Sequence, residues 1–331
     1  MKKILLLGAS GLLGHNVLLE LIKRGFEVIA PVRSRSRLHL TQALFSNPNL
    51  KVVEAADIVA FLSAFKEGEA DAIVNCAGIT DMSLLRYEDY LPVNRDLCRY
   101  IVEHAERLHI ATIVHVSTAN TIGFGTPDSP GHEGDATSSP FAESFYARSK
   151  REGEELLLLG AQRNPDGHIV ILNPGFMVGP YDAKPSSGKL LMAAYKRRWM
   201  ATPSGGKSFV HVNDVAKAVV NALSMGGNGE RYLLTGRELT LRQFYTLQAQ
   251  VCGYRQHIVQ LPDVVVRLAG RLGDLLRRLG IATQLSTCNV RQLLVREYYS
   301  TDKSIKDLAY TLSPLEEAIK DFFCWQNEKN V

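Results

Sequence analysis

Lys2-Lys3-Ile4-Leu5-Leu6-Leu7-Gly8-Ala9-Ser10-Gly11-Leu12-Leu13-Gly14 is the stretch that decides the fold. Ile4 to Leu7 is a short apolar run of buried-strand length, and Val17, Leu18, Leu21 and Ile22 then recur at helical spacing. Strand, glycine loop and helix together predict the opening of a dinucleotide-binding βαβ unit. Gly8 would allow the tight turn, Gly11 the close approach of a pyrophosphate, and Gly14 the packing of helix on sheet. The phosphates would sit at the helix N-terminus, where free N–H groups and the helix dipole favour anions. The spacing is Gly-x-x-Gly-x-x-Gly, not the commoner Gly-x-Gly-x-x-Gly. Met-Lys-Lys before an apolar run also fits the start of a secretory signal. The run is too short for an h-region and no small-residue cleavage site follows, so that reading is rejected.

Outward from this stretch, strand-like and helix-like segments alternate. Phe26–Ala30, Leu50–Glu54, Ala72–Gly78, Ala111–Thr118 and His168–Pro174 read as strands two to six, with helical patterns such as Asn94–Leu108 and Tyr146–Ala161 between them. The expectation is an α/β fold, a doubly wound parallel sheet of Rossmann type, with a smaller, mainly helical C-terminal substrate domain. Residues 1–175 form the nucleotide domain and 205–225 return to it. Residues 176–204 and 226–331 form the substrate domain. Thr126–Pro140 is a polar loop that reads as a wall or lid. Asp263–Leu279 is an amphipathic helix with Val265, Leu268, Leu272, Leu275, Leu276 and Leu279 on one face. That face reads as core packing or an oligomer surface ahead of membrane binding.

Composition bounds the function. The 331 residues, 46% hydrophobic and 22% charged, describe a soluble globular protein with ample core. No apolar run approaches the ~20 residues that span a membrane. The net charge of +4 is mild and its basic clusters are scattered, which argues against nucleic acid. Five cysteines without a Cys-x-x-Cys pair fit a reducing cytoplasm and neither a disulfide framework nor a zinc site. His115 and His211 have no metal-ligand spacing and read as structural; no metal is expected.

The end of the second strand reads Ile29-Ala30-Pro31-Val32-Arg33-Ser34. An NAD-preferring fold carries an acid there for the ribose hydroxyls. None is present, and Arg33 could instead pair with a 2′-phosphate, with Arg35 and Arg37 as helpers. NADP(H) is therefore the preferred cofactor and NAD(H) the alternative. Asp57 could meet the adenine amino group or cap a helix. Small residues at Asn75-Cys76-Ala77-Gly78 would let the cofactor pass close to the backbone.

Tyr146-Ala147-Arg148-Ser149-Lys150 is the expected chemical centre. Residues four apart share a helix face, so Lys150 could lower the Tyr146 pKa by favouring phenolate. Tyr146 could then exchange a proton with a substrate oxygen that Thr118 also holds. Glu143 and Asp135 could touch substrate, but loop carboxylates are common.

With these residues in place the chain resembles the extended short-chain dehydrogenase/reductases, of the NAD-dependent epimerase/dehydratase superfamily. The motifs are Gly8/Gly11/Gly14, Asp57, Asn75–Gly78, Asn94, Thr118, Tyr146/Lys150 and Asn173-Pro174-Gly175. The resemblance implies a catalytic set of Thr118, Tyr146 and Lys150. Thr118 is preferred to Ser117 because it precedes Gly123 by the family's usual interval. It also implies a cofactor site of Gly8, Ser10, Gly11, Leu12, Leu13, Gly14, Arg33, Asp57, Ile58, Cys76, Ala77, Gly78, Asn94, Ser117, Tyr146, Lys150, Pro174, Gly175, Phe176, Met177 and Val178. Lys150 would bind nicotinamide-ribose hydroxyls and Pro174–Val178 would lie along the nicotinamide. Phe209–Ala216 looks like the family's return segment. Lys207 stands roughly where nucleotide-sugar members carry a diphosphate-binding Arg. Gly229–Gly236, Tyr299–Lys303 and Ser313–Lys320 look like dihydroflavonol-4-reductase-like and 3β-hydroxysteroid-dehydrogenase-like members.

The expected activity is reduction of a small-molecule carbonyl, aldehyde or ketone, to an alcohol, in the cytoplasm, without membrane insertion. The resemblance suggests a homodimer through helices of the first domain. Two alternatives stand beside it: a nucleotide-sugar epimerase or dehydratase with tightly bound NAD(H), and a non-catalytic cofactor-sensing protein. Specificity would lie in loops 126–142 and 180–205 and the C-terminal helices.

Overall fold

The computed structural model describes residues 2–183 and 187–329, without the side chains of Arg37 and Lys329. In chain order its elements begin β1 Lys3–Leu7, α1 Leu12–Lys23, β2 Glu27–Val32, α2 Gln42–Phe45, β3 Leu50–Glu54, α3 Ile58–Ala64 and β4 Ala72–Asn75. Then come α4 Leu97–Arg107, β5 Thr112–Val116, α5 Phe145–Arg163, β6 His168–Pro174, β7 Phe176–Val178, α6 Gly188–Ala194, β8 Trp199–Thr202, β9 Gly206–His211 and α7 Val212–Asn221. The chain closes with β10 Glu230–Leu234, β11 Arg237–Thr240, α8 Leu241–Val251, β12 His257–Gln260, α9 Asp263–Arg278, α10 Thr287–Arg291, α11 Asp302–Leu308 and α12 Leu315–Lys329.

Seven parallel strands form the main sheet in the order β10-β6-β5-β4-β1-β2-β3. Parallel strands covered on both faces need apolar residues on both sides, and Ile4, Leu5, Leu6 and Leu7 are all fully buried. Ile4 and Leu6 pack with Val17 and Leu21 of α1 and Val215 and Val219 of α7. Leu5 and Leu7 face the other layer, with Leu97 and Ile101 of α4 and Leu157 of α5. A third cluster, around Phe209, Phe244, Leu315 and Phe322, holds the C-terminal part together.

The first six strands lie where the sequence puts them, and the 205–225 segment returns α7 to the α1 face. The division at residue 226 is corrected. β10 pairs in parallel with β6, from Glu230 opposite Val170 to Leu234 opposite Pro174, and so belongs to the main sheet. Nothing local distinguishes this short strand; its place follows from the open edge of β6. The apolar face of α9 is also not core: Leu268 is 55% exposed and Leu272 57%. Among the described residues no helix is long and apolar enough to cross a membrane.

Candidate active site

The glycine loop is set by contacts rather than by flexibility. Gly8 sits at φ +82°, and a β-carbon there would lie 2.6 Å from the Ala77 nitrogen. A β-carbon on Gly14 would lie 2.1 Å from the Gly8 carbonyl oxygen. Gly11 differs, since its added β-carbon meets only that carbonyl, at 3.5 Å. It caps α1 without a side-chain hydrogen bond, so the first N–H groups of α1 face open space beside it. The space left at Gly11 and the start of α1 fits a pyrophosphate.

The neighbouring strand ends are held in place by polar side chains. Asn94 binds the Ile79 backbone in both directions, accepting from its N–H at 2.8 Å and donating to its carbonyl at 3.0 Å. Its amide also donates to Ser149 Oγ at 3.0 Å, tying the turn after β4 to α5. Asp57 caps α3 by accepting from Val59 and Ala60 N–H. Arg33 is exposed at the end of β2, whereas Arg35 folds back and donates to the Val52 carbonyl. The side chain of Arg37 lies outside the described residues, as do residues 184–186 of the 180–205 loop.

Thr118, Tyr146 and Lys150 come together at the carboxyl end of β5. Ser144 caps α5, which sets Tyr146 in its first turn and Lys150 one turn on. Burial pushes the Tyr146 phenol up to about 12, and a hydrogen bond with Thr118 pulls it the other way. Beside burial, the charge of Glu154 also raises that phenol. The Lys150 amine lies 3.2 Å from His115 Nε2 and donates to the Val116 carbonyl at 2.8 Å. Burial lowers the Lys150 pKa.

Ser117 and Thr118 send their hydroxyls to different partners, Thr118 Oγ1 accepting from Asn120 N–H at 3.3 Å. Ser117 Oγ donates to Glu154, beneath the strand end. Glu154 also accepts from Thr121 Oγ1 at 2.7 Å and Asn173 Nδ2 at 2.8 Å. Asn173 donates to the Thr118 carbonyl at 3.1 Å, so this buried network fixes the backbone that carries Thr118. The sequence reading missed Glu154, although it falls one helical turn after Lys150.

Tyr146 opens onto a cavity of about 230 Å³ whose walls include Met82, Leu84, Leu85, Tyr90 and Phe145, with Arg277, Cys288 and Asn289 opposite. These residues are far apart in the chain and carry no shared local signal. Glu143 lines the same cavity and pairs with Arg291 at 2.7 Å. The loop 126–140 is tied to the C-terminal part and to β10, and none of its residues lines this cavity. Gly125 and Gly131 donate to the Tyr298 carbonyl, and Glu133 accepts from Leu233 N–H. Lys207 does not face this cavity as a free cation. It is paired with the buried Glu297 and donates to the Gln292 carbonyl. A larger cavity of about 320 Å³, between Phe209, Arg237 and Pro314, contains none of the expected site residues.

Residues 4–234 match the NAD dependent epimerase/dehydratase family, and the chain belongs to that family as an extended short-chain dehydrogenase/reductase. It is an NAD(P)-dependent oxidoreductase of that type. It is 31% identical to the 4-hydroxy-2-methyl-3-oxo-4-farnesyl-3,4-dihydroquinoline-1-oxide ketoreductase of Stigmatella aurantiaca, over 92% of this chain and 90% of the relative. It is 26% identical to sterol demethylase protein B of Methylococcus capsulatus, over 99% of each. The fold is shared with UDP-glucose 4-epimerase of Thermotoga maritima, at TM-score 0.76 and 17% identity, over 99% of this chain and 100% of the other.

Proposed function

We propose that this protein is a cytoplasmic, NADP(H)-dependent reductase that converts an apolar aldehyde or ketone to the alcohol. The observation that carries the reading is Tyr146 at the wall of a mainly apolar cavity, with Thr118 beside its phenol. A phenol with its pKa pushed up to about 12 is protonated at neutral pH, as a proton donor must be. Tyr146 gives that proton to the carbonyl oxygen, and Thr118 holds the oxygen in line. The cofactor, when bound, supplies hydride for the carbonyl carbon. Gly8, Gly11 and the first turn of α1 would hold its pyrophosphate, and Arg33 its 2′-phosphate.

Lys207 supports this reading over a nucleotide-sugar substrate. Its charge is already matched by Glu297, so it offers little to a diphosphate. The two relatives are named for a farnesyl compound and for sterols, which supports an apolar substrate. The test is NADPH oxidation across a panel of apolar ketones and aldehydes. Wild type should consume NADPH with at least one, and Tyr146→Phe should lose about 10²-fold or more in kcat. Full turnover by Tyr146→Phe would refute the mechanism. Turnover of a UDP-sugar without added cofactor would replace it.

A further inference from the structure

We propose that α9 docks this enzyme on the surface of an anionic phospholipid bilayer, from which the cavity beside Tyr146 takes its substrate. The inference rests on the reading of that cavity as a site for an apolar carbonyl compound. Val264, Val265, Leu268, Leu272, Leu275 and Leu279 fall within an arc of about 100° on α9, and each is between 48% and 69% exposed. Val266, Gly270 and Gly273 form the opposite, buried face, so the helix lies on the body of the protein with its apolar stripe outward. An exposed stripe of this size marks an interaction surface.

Charge selects the occupant. Arg267, Arg271 and Arg278 are exposed and share one shoulder of the stripe. The two carboxylates of α9 point elsewhere. Asp263 accepts from Ser204 Oγ at 2.7 Å, and Asp274 accepts from Thr287 N–H at 2.9 Å. A second copy of this chain would bring arginine shoulders together with no carboxylate from the helix to meet them. An apolar stripe with a cationic shoulder is the pattern of a helix lying in the headgroup boundary of an anionic membrane.

The stripe also leads to the site. Beyond α9 the chain continues through Ile281 and Leu285, both exposed, to Ser286, Cys288 and Asn289 in the cavity wall. Arg277, on the inward side of α9, lines the same cavity and donates to the Leu84 carbonyl at 2.5 Å. A compound dissolved in the bilayer would therefore meet the enzyme at the wall of the cavity that holds Tyr146.

The experiment is co-sedimentation of the full chain with vesicles of phosphatidylcholine containing one-third phosphatidylglycerol, beside pure phosphatidylcholine vesicles. The protein should pellet with the anionic vesicles and be released by high salt. Leu268→Asp combined with Leu272→Asp, and separately Arg267→Glu combined with Arg271→Glu, should each reduce binding about tenfold or more. NADPH titration of the same variants reports that they are folded. Failure to pellet with anionic vesicles, or equal pelleting of the leucine variant, overturns the proposal. So does a dimer in light scattering that the leucine variant converts to monomer, which would give the face to a second copy. Vesicle binding needs no turnover, so this result is independent of the carbonyl-reductase assay.

Discussion

Lys150 Nζ lies 3.2 Å from His115 Nε2, and the other ring nitrogen of His115 faces Asn75 Nδ2 at 3.0 Å. Asn75 Oδ1 accepts from Ala77 N–H at 3.0 Å, which fixes the amide with its NH₂ toward the ring. His115 Nδ1 is then an acceptor, and the neutral ring carries its proton on Nε2, facing Lys150. A neutral amine can accept that proton's hydrogen bond, and an ammonium cannot. Burial lowers both pKa values, that of His115 well below 6.5. The strand thus biases Lys150 toward the amine.

His115→Ala removes the donor that favours the neutral amine, so the Lys150 pKa should rise toward 10.5. With the Lys150 ammonium read as the group that holds the nicotinamide ribose, the alkaline limb of the kcat/KM–pH profile should move up by about one unit. An unmoved limb would show that His115 does not set the charge of Lys150.

Arg33 is exposed at the end of β2, with no acid beside it in the Ile29–Ser34 stretch. Arg33→Ala should raise the Kd for NADPH about tenfold or more, through loss of a charge-assisted pair, and leave that for NADH within about twofold. Fluorescence titration of both reduced cofactors measures this. Equal loss for the two would remove the 2′-phosphate role.

Gly11 and Gly14 should fail in different ways when changed to alanine. The new β-carbon of Gly14→Ala would stand 2.1 Å from a backbone carbonyl, so the loop must shift. That protein should unfold several degrees earlier, at a cost of about 2 kcal/mol or more. Gly11→Ala makes only an ordinary 3.5 Å contact and should keep its Tm. It should still lose cofactor affinity, because the methyl group projects into the pyrophosphate cradle. Thermal unfolding together with NADPH titration separates the two.

Glu154 is a buried carboxylate whose pKa is raised above 4.5, chiefly by burial. A group that binds its proton more tightly when folded loses stability as pH rises through the folded value. The loss is about 1.4 kcal/mol for each unit of upward shift. The neutral amide introduced by Glu154→Gln keeps an oxygen that can accept the same bonds from Ser117, Thr121 and Asn173. Tm measured for Glu154→Gln minus wild type should therefore be more positive at pH 8 than at pH 5. A difference that stays flat or reverses would mean that the Arg231 side chain, 3.6 Å away, outweighs the burial.

Much of this protein is determined locally, and that part was legible in the sequence. The stretch from Ile4 to Gly14 carries strand period, turn and helix start within one βαβ unit. Tyr146 and Lys150 share a face of α5 because four residues make about one helical turn. Thr118 follows closely on β5, so its place at the strand end needed only the strand to be found. Tertiary structure decided the rest. Only the fold brings His115 on β5 against Lys150 on α5, or shows that burial dominates the pKa of Tyr146. β10 joins the sheet because β6 offers an open edge, which its own five residues do not reveal. The cavity draws on residues 82–90, 143–146 and 277–289, and the exposed face of α9 has the same helical pattern that a buried one would have. Periodicity says that a helix has an apolar face; only the packing of the whole chain says whether that face meets protein or is left outside it.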